Sequence, residues 1–130
     1  MLAVPWLAFS PIGPAGAVQA GRTAVIAGGG LPQAAVVEPD GGIVVETATG
    51  LVGLTPQLAL DPSFGEGGKV GFPPSFQASS FFEHLWLTHD QSGRILAPGS
   101  GSGVNDGTPL LARYTRVGRL DTSFGSGGVV

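Results

Sequence analysis

Short apolar runs alternate with clusters of glycine, proline and other turn-forming residues along most of the chain. The runs 43–45 and 51–54 directly follow a glycine, and the run 95–97 is directly followed by Pro98 and Gly99. This spacing is typical of short β-strands joined by tight turns. It predicts an all-β fold.

One segment occurs twice. The sequences LDPSFGEGGKV (60–70) and LDTSFGSGGVV (120–130) share the frame Leu-Asp-x-Ser-Phe-Gly-x-Gly-Gly-x-Val at a separation of 60 residues. Upstream, VVEPDGGIVV (36–45) aligns with THDQSGRIL (88–96) at a separation of 52. The second copy is therefore longer by about eight residues, which we place in the Gly- and Ser-rich stretch 99–109 as an extended loop. Two copies of one supersecondary unit are predicted.

The repeat predicts how the chain is organised. We divide it into an N-terminal segment (1–30), a first repeat (31–80) and a second repeat (81–130). Each repeat should form an antiparallel, blade-like β-meander in which glycine supplies the positive φ of the first hairpin turn. The predicted strands are 34–38, 43–46 and 51–54 in the first repeat and 81–88, 95–97 and 110–114 in the second, each repeat followed by a fourth strand that begins at Lys69 or Val129.

The N-terminal segment has two further interpretations. Residues 2–9 are apolar, and the small residues 15–17 could follow a secretory signal, but no basic residue precedes them and three prolines interrupt the segment. Residues 19–29 also echo 91–100, as a degenerate repeat would. We expect an ordinary strand and loop here. No stretch approaches the roughly 18 apolar residues of a membrane helix, so no membrane span is predicted.

Turn formation alone explains the repeated motif. Each Asp precedes a Ser by two residues, which suits an Asx turn whose carboxylate accepts a backbone N–H. Each Phe should anchor the turn in the core, and the glycines should adopt positive φ. The alternative, a Ca²⁺ ligand or catalytic carboxylate, needs more than one acid per motif. The predicted structural residues are Asp61, Ser63, Phe64, Gly65 and Gly68, with Asp121, Ser123, Phe124, Gly125 and Gly128.

Charge and composition exclude several classes of function. The net charge of −3 gives no attraction to a polyanion, so nucleic-acid binding is not expected. We interpret Arg113, Arg116 and Arg119 as solvated positions on a strand and its turn. The chain has no cysteine, which excludes disulfides and thiolate chemistry. No cofactor and no metal site are predicted.

Polar groups that could serve a ligand are few. The candidates for a ligand-binding loop are His84, Asp90, Asn105 and Asp106. His84 and His89 would face opposite sides of a strand, which disfavours joint metal binding. We expect His89 to open a turn and Trp86 to lie in the core; the alternative for Trp86 is a sugar-stacking platform.

The quoted motifs resemble a known family. LDPSFGEGGKV, ARYTRVGRLDTSFGSGGVV and EPDGGIVV are similar to the delta-60 repeat, a bacterial tandem repeat assigned to β-propeller-type folds, over about residues 34–130. The resemblance implies a fragment or short member of a family of surface-associated or secreted proteins, and it offers no catalytic residue to transfer. The first copy departs from the family at Gly53, where the second copy has Arg113, the residue usual in the family.

Two repeats cannot close a propeller, which typically needs four to eight blades. We therefore expect a partial propeller that self-associates or belongs to a longer chain. The function expected is a non-catalytic module for binding or scaffolding, with a protein or carbohydrate ligand, at the bacterial surface or secreted, and otherwise in the cytoplasm. The alternative is a hydrolase- or lyase-type enzyme, or a fragment of one, with the loop candidates gathered at one end of the blades.

Overall fold

A computed structural model describes residues 31–78, 86–102 and 107–130. Every regular element in these residues is a β-strand, and all strand pairs are antiparallel. The predicted all-β class is confirmed, whereas the two sheets form neither a closed barrel nor a closed propeller within this part of the chain. None of the described segments includes a helix long and apolar enough to cross a membrane.

The first sheet is a simple meander. Its strands pair in chain order, with one irregularity of register, between Pro32 and Ala34 of the first strand. The hairpin turn between the first two strands contains Gly41 at φ 89°, the positive value that the sequence predicts there. The strands are β1 (Pro32–Val37), β2 (Ile43–Thr47), β3 (Gly50–Leu54) and β4 (Lys69–Gly71).

The second sheet is built on one long strand. Its strands are β5 (Phe76–Ala78), β6 (Thr88–His89), β7 (Ile95–Gly101) and β8 (Pro109–Tyr114). Strand β7 pairs with β8 along one edge and with β5 and β6, end to end, along the other. The predicted strand 81–88 falls partly outside the described residues, and the sequence did not predict β5. Val129 bridges to Ala112 as Lys69 does to Val52, in the register of a fourth strand.

The eight additional residues of the second repeat lengthen its central hairpin. Strand β7 runs from Ile95 to Gly101, while its counterpart β2 runs from Ile43 to Thr47. Residues 99–101, which we expected in an extended loop, therefore continue the strand. Residues 103–106 of that loop lie outside the described residues.

Backbone hydrogen bonds recur at the separations seen in the sequence. The first turn is closed by bonds from Glu38 N–H to the Gly42 carbonyl and from Gly41 N–H to the Glu38 carbonyl, and both bonds have counterparts 52 residues later. The bond from Asp61 N–H to the Gly53 carbonyl has its counterpart 60 residues later. Corresponding positions of the two repeats can therefore be compared directly.

The two sheets share one hydrophobic core. One face of the first sheet contributes Val44 and Leu51, and the second sheet contributes Ile95, Ala112 and Tyr114; all five are almost fully buried. The opposite face of the first sheet forms a smaller cluster of its own around β2 and β3. Since alternate residues of a strand point to opposite faces, the hydrophobic runs 43–45 and 51–54 supply both clusters.

Candidate binding cleft between the two sheets

Phe64 joins the two repeats. Its side chain is 3% exposed and lies between Gly53 of its own sheet and Gly118 in the turn after β8. Next to it, Gly65 N–H donates a hydrogen bond of 2.8 Å to the Val117 carbonyl. Phe124, the counterpart of Phe64, is only half-buried. The two phenylalanines, expected to be equivalent anchors, therefore differ.

Both motif aspartates close the turn on the following serine. Asp61 Oδ1 accepts hydrogen bonds from Ser63 N–H at 2.9 Å and from Ser63 Oγ at 2.7 Å. Asp121 Oδ1 accepts the same pair from Ser123 at 3.1 and 2.6 Å. The Ser63 hydroxyl and backbone hydrogen bonds hold the pKa of Asp61 below its usual value. This carboxylate is therefore ionised at neutral pH.

In the second repeat the motif aspartate also binds arginine. Arg113 Nε donates to Asp121 Oδ2 at 2.9 Å, and Arg94 Nε donates to Asp90 Oδ2 at 2.6 Å. Arg94 Nη1 reaches Asp121 Oδ2 at 3.5 Å, so the four groups form one network. The Arg113 guanidinium also lies over the Phe124 ring, 4.4 Å from its centroid. The expectation of a solvated Arg113 is wrong, because its side chain is only 15% exposed.

In the first repeat, a cleft lies at the place that corresponds to this arginine–carboxylate network. The counterparts of Arg94 and Arg113 are Gly42 and Gly53, so neither guanidinium is present. The cleft has a volume of about 300 Å³ and is open to solvent at one side. The residues around it include acids, prolines, apolar side chains and one arginine: Glu38, Pro39, Asp40, Gly42, Ile43, Val44, Gly53, Leu54, Thr55, Pro56, Asp61, Ser63, Phe64, Arg116 and Val117.

Charged groups at the cleft are only partly neutralised. Glu38 Oε1 contacts His89 Nε2 of the second sheet at 2.9 Å, and Asp40 Oδ1 accepts from Gly42 N–H at 2.9 Å. Arg116 turns to the second repeat, where its Nε donates to the Ser92 carbonyl at 3.2 Å. Among the described residues no ion pair connects Arg116 to the cleft acids, so the lining carries an excess of negative charge.

Of the predicted ligand-loop residues, only Asp90 is described. Partial burial acts to raise its pKa, but hydrogen bonds from Arg94 and Ser92 outweigh this effect and hold the pKa below its usual value. Asp90 therefore closes a turn and pairs with arginine. His84, Asn105 and Asp106 lie outside the described residues. His89 lies in β6 and contacts Glu38 instead of opening a turn.

Trp86 is not a core residue. Its side chain is 74% exposed, against the expectation from the sequence. The expectation assumed one continuous strand from 81 to 88, whereas the described strand begins only at Thr88. The alternative of a sugar-stacking platform is compatible with this exposure.

Glu46 is a buried acid that the sequence analysis missed. Its side chain is 3% exposed, and its Oε1 has no hydrogen-bond partner in the described part of the chain. Burial raises its pKa to about 7. Burial and the nearby Glu46 raise the pKa of Tyr114 as well. The signal available was its place in β2, two residues after buried Val44 and on the same face.

No family model matches the chain, and no curated protein or solved structure is similar enough to count as a match. Among residues 31–78, 86–102 and 107–130, no three acidic or histidine side chains are grouped so as to hold a metal ion.

Proposed function

We propose that this chain is a non-catalytic repeat module for binding or scaffolding, of the delta-60 type and with a partial β-propeller architecture, acting at the bacterial surface or in a secreted protein. The observation that carries the proposal is the junction at Phe64, where the turn of the second repeat packs on the motif of the first. A junction made by recurring motif residues suits a structural support on which loops and clefts present polar groups.

The polar residues of the motif support a structural role. Asp61 and Asp121 each use one carboxylate oxygen to close a turn, and Asp90 does the same while pairing with Arg94. These groups hold the chain in shape. These aspartates do not form the pair of nucleophile and adjacent base that hydrolysis requires.

Two surfaces suit the two classes of ligand. The cleft beside Phe64 combines apolar walls with carboxylates and is bordered by Arg116, as a site for a protein segment would be. Exposed Trp86 offers an aromatic face of the kind on which sugars stack. Both surfaces are accessible while the sheets stay packed.

The test is to screen the purified chain against arrays of bacterial polysaccharides and of peptides. A peptide ligand in the cleft should change at least tenfold in affinity with Arg116→Ala, and a carbohydrate ligand should lose at least tenfold with Trp86→Ala. Arg119→Ala is the matched control for the first variant, because Arg119 is exposed and lies three residues along the same turn, outside the cleft.

Mass spectrometry of the bound ligand completes the test. A non-catalytic module returns its ligand chemically unchanged after prolonged incubation. Cleavage of a polysaccharide or peptide by the purified chain, with no loss of cleavage on further purification, would contradict the proposal.

A further inference from the structure

The two repeats differ at one place in a way that indicates a ligand. We infer that the cleft of the first repeat binds a guanidinium group, as carried by an arginine side chain of a peptide. This inference rests on the proposed binding function and names the ligand chemistry of the cleft. It depends on comparing the cleft with the corresponding place in the second repeat, where two guanidinium groups are already bound.

In the second repeat, the corresponding backbone turns and carboxylates bind guanidinium groups. Its acids, Asp90 and Asp121, bind the guanidinium groups of Arg94 and Arg113 at 2.6 and 2.9 Å. In the first repeat the acids remain, as Glu38 and Asp61, while both arginines are replaced by glycine. Since the surrounding turn hydrogen bonds are the same, Glu38 and Asp61 hold the backbone positions of Asp90 and Asp121, and both line the cleft. Glu38 Oε1 contacts His89 and the Phe64 ring lies against Gly53, so Asp61 is the acid that the inference depends on.

One oxygen of Asp61 is left over for a ligand. In the second repeat, Asp121 gives Oδ1 to Ser123 and Oδ2 to Arg113. Asp61 gives Oδ1 to Ser63 in the same way, but its Oδ2 makes no hydrogen bond in the described part of the chain. The pKa of Asp121 is lowered by the Ser123 hydrogen bonds and by the charge of Arg113, whereas the pKa of Asp61 is lowered by Ser63 hydrogen bonds with no charged partner.

The space and the charge suit an organic cation. A volume of about 300 Å³ is at the lower end of the range for ligand pockets. Asp40 adds a third carboxylate to the lining of the cleft. Arg116 is the opposing charge, and it is held towards the Ser92 carbonyl. The planar fork of a guanidinium can engage two carboxylates at once, which the point charge of an ammonium group does less well.

The experiment is an NMR titration of the full chain with N-acetyl-arginine amide as the probe. Saturable shifts are expected at the amides of Gly42, Asp61 and Ser63, with a Kd on the order of 1 mM for this single group. The neutral isostere N-acetyl-citrulline amide should bind at least tenfold more weakly. A peptide of several residues with one central arginine should bind more tightly than free L-arginine; the reverse order would assign the site to the free amino acid and overturn the peptide assignment.

Variants distinguish binding at the cleft from non-specific attraction of a cation to the negatively charged protein. Asp61→Asn keeps Oδ1 for the serine turn and removes the charge, so it should weaken arginine binding at least tenfold. The matched control is Asp121→Asn, which makes the same change in the second repeat and should leave the affinity unchanged. Gly42→Arg places a guanidinium where the second repeat has Arg94 and should abolish binding of the probe.

Three results would overturn the inference: equal affinity for the arginine and citrulline probes, unchanged affinity in Asp61→Asn, or no saturable shift at Gly42 and Ser63. The Asp61→Asn result stands alone if Gly42→Arg does not fold. A peptide that binds the chain in an Arg116-dependent manner without any arginine would leave the proposed function intact and refute only the guanidinium assignment.

Discussion

Gly118 lies directly against the ring of Phe64, so that a Cβ atom at position 118 would be only 2.8 Å from the ring carbons Cε1 and Cζ. Its φ of 71° is also in the left-handed region, which favours glycine. Sterics and backbone conformation therefore require glycine at the point where the second repeat covers the first. The counterpart in the first repeat is Leu58, which adopts φ 67°.

Gly118→Ala should destabilise the fold by about 2–4 kcal/mol, because the added methyl group costs both a left-handed backbone penalty and a displacement of the Phe64 ring. Urea unfolding of the full chain measures the effect. Gly127→Ala is the control, since Gly127 has φ 64° but no atom within 4 Å of its Cβ position. It should cost only about 1 kcal/mol. Equal losses of stability in the two variants would mean that the Phe64 ring moves aside without a cost in free energy.

Phe64→Ala should cost about 3–5 kcal/mol in the free energy of unfolding, as expected for a buried aromatic side chain at a junction. Phe124→Ala should cost only about 1–2 kcal/mol, because that ring is half-buried. Denaturant melts of both variants under one condition test the difference. A larger loss for Phe124→Ala would show that the two repeats depend on the second motif more than on the junction.

The sequence predicts most of the fold because turn chemistry and periodicity are local. Strands β1, β2, β3 and β8 lie within one or two residues of their predicted bounds. The exceptions are determined by partners elsewhere in the chain. Strand β5 has only three residues, so it shows no period of its own, and it forms because the long strand β7 offers an edge.

Burial of individual side chains is less predictable. Trp86 was expected in the core and is exposed. Glu46 is buried in a strand of mostly apolar residues, and the sequence pattern did not predict that this charged residue would be buried with them. The sequence does show the difference between Gly53 and Arg113. Whether this difference opens a cleft beside Asp61 depends on distances between residues of separate strands. Local sequence patterns carry no information about such distances.

Arg113→Ala should cost about 1–2 kcal/mol, because it removes both an ion pair with Asp121 and the contact over the Phe124 ring. Arg119→Ala, at an exposed position, should change stability by less than about 0.5 kcal/mol. Thermal melts at low and high NaCl test the electrostatic part, which salt should screen. A loss that is independent of salt would assign the effect to packing of the arginine stem alone.

Glu46 should make stability depend on pH. Its pKa rises from 4.5 to about 7 in the folded protein, because the carboxyl is buried. Between these values the unfolded chain releases the proton and the folded chain keeps it, so the free energy of unfolding falls as pH rises. The loss is complete above pH 7 and should be on the order of 2–3 kcal/mol.

Glu46→Gln removes this titration while keeping the size of the side chain. The variant should be more stable than the natural chain at pH 8, and the difference should shrink as the pH falls, until below about pH 4.5 the natural carboxyl is protonated in both states. Urea melts across this range measure it, with Glu66→Gln, at an exposed position, as the control that should follow the natural chain. If the Glu46→Gln curve also runs parallel to that of the natural chain, water or a partner reaches the Glu46 carboxylate and stabilises its charge.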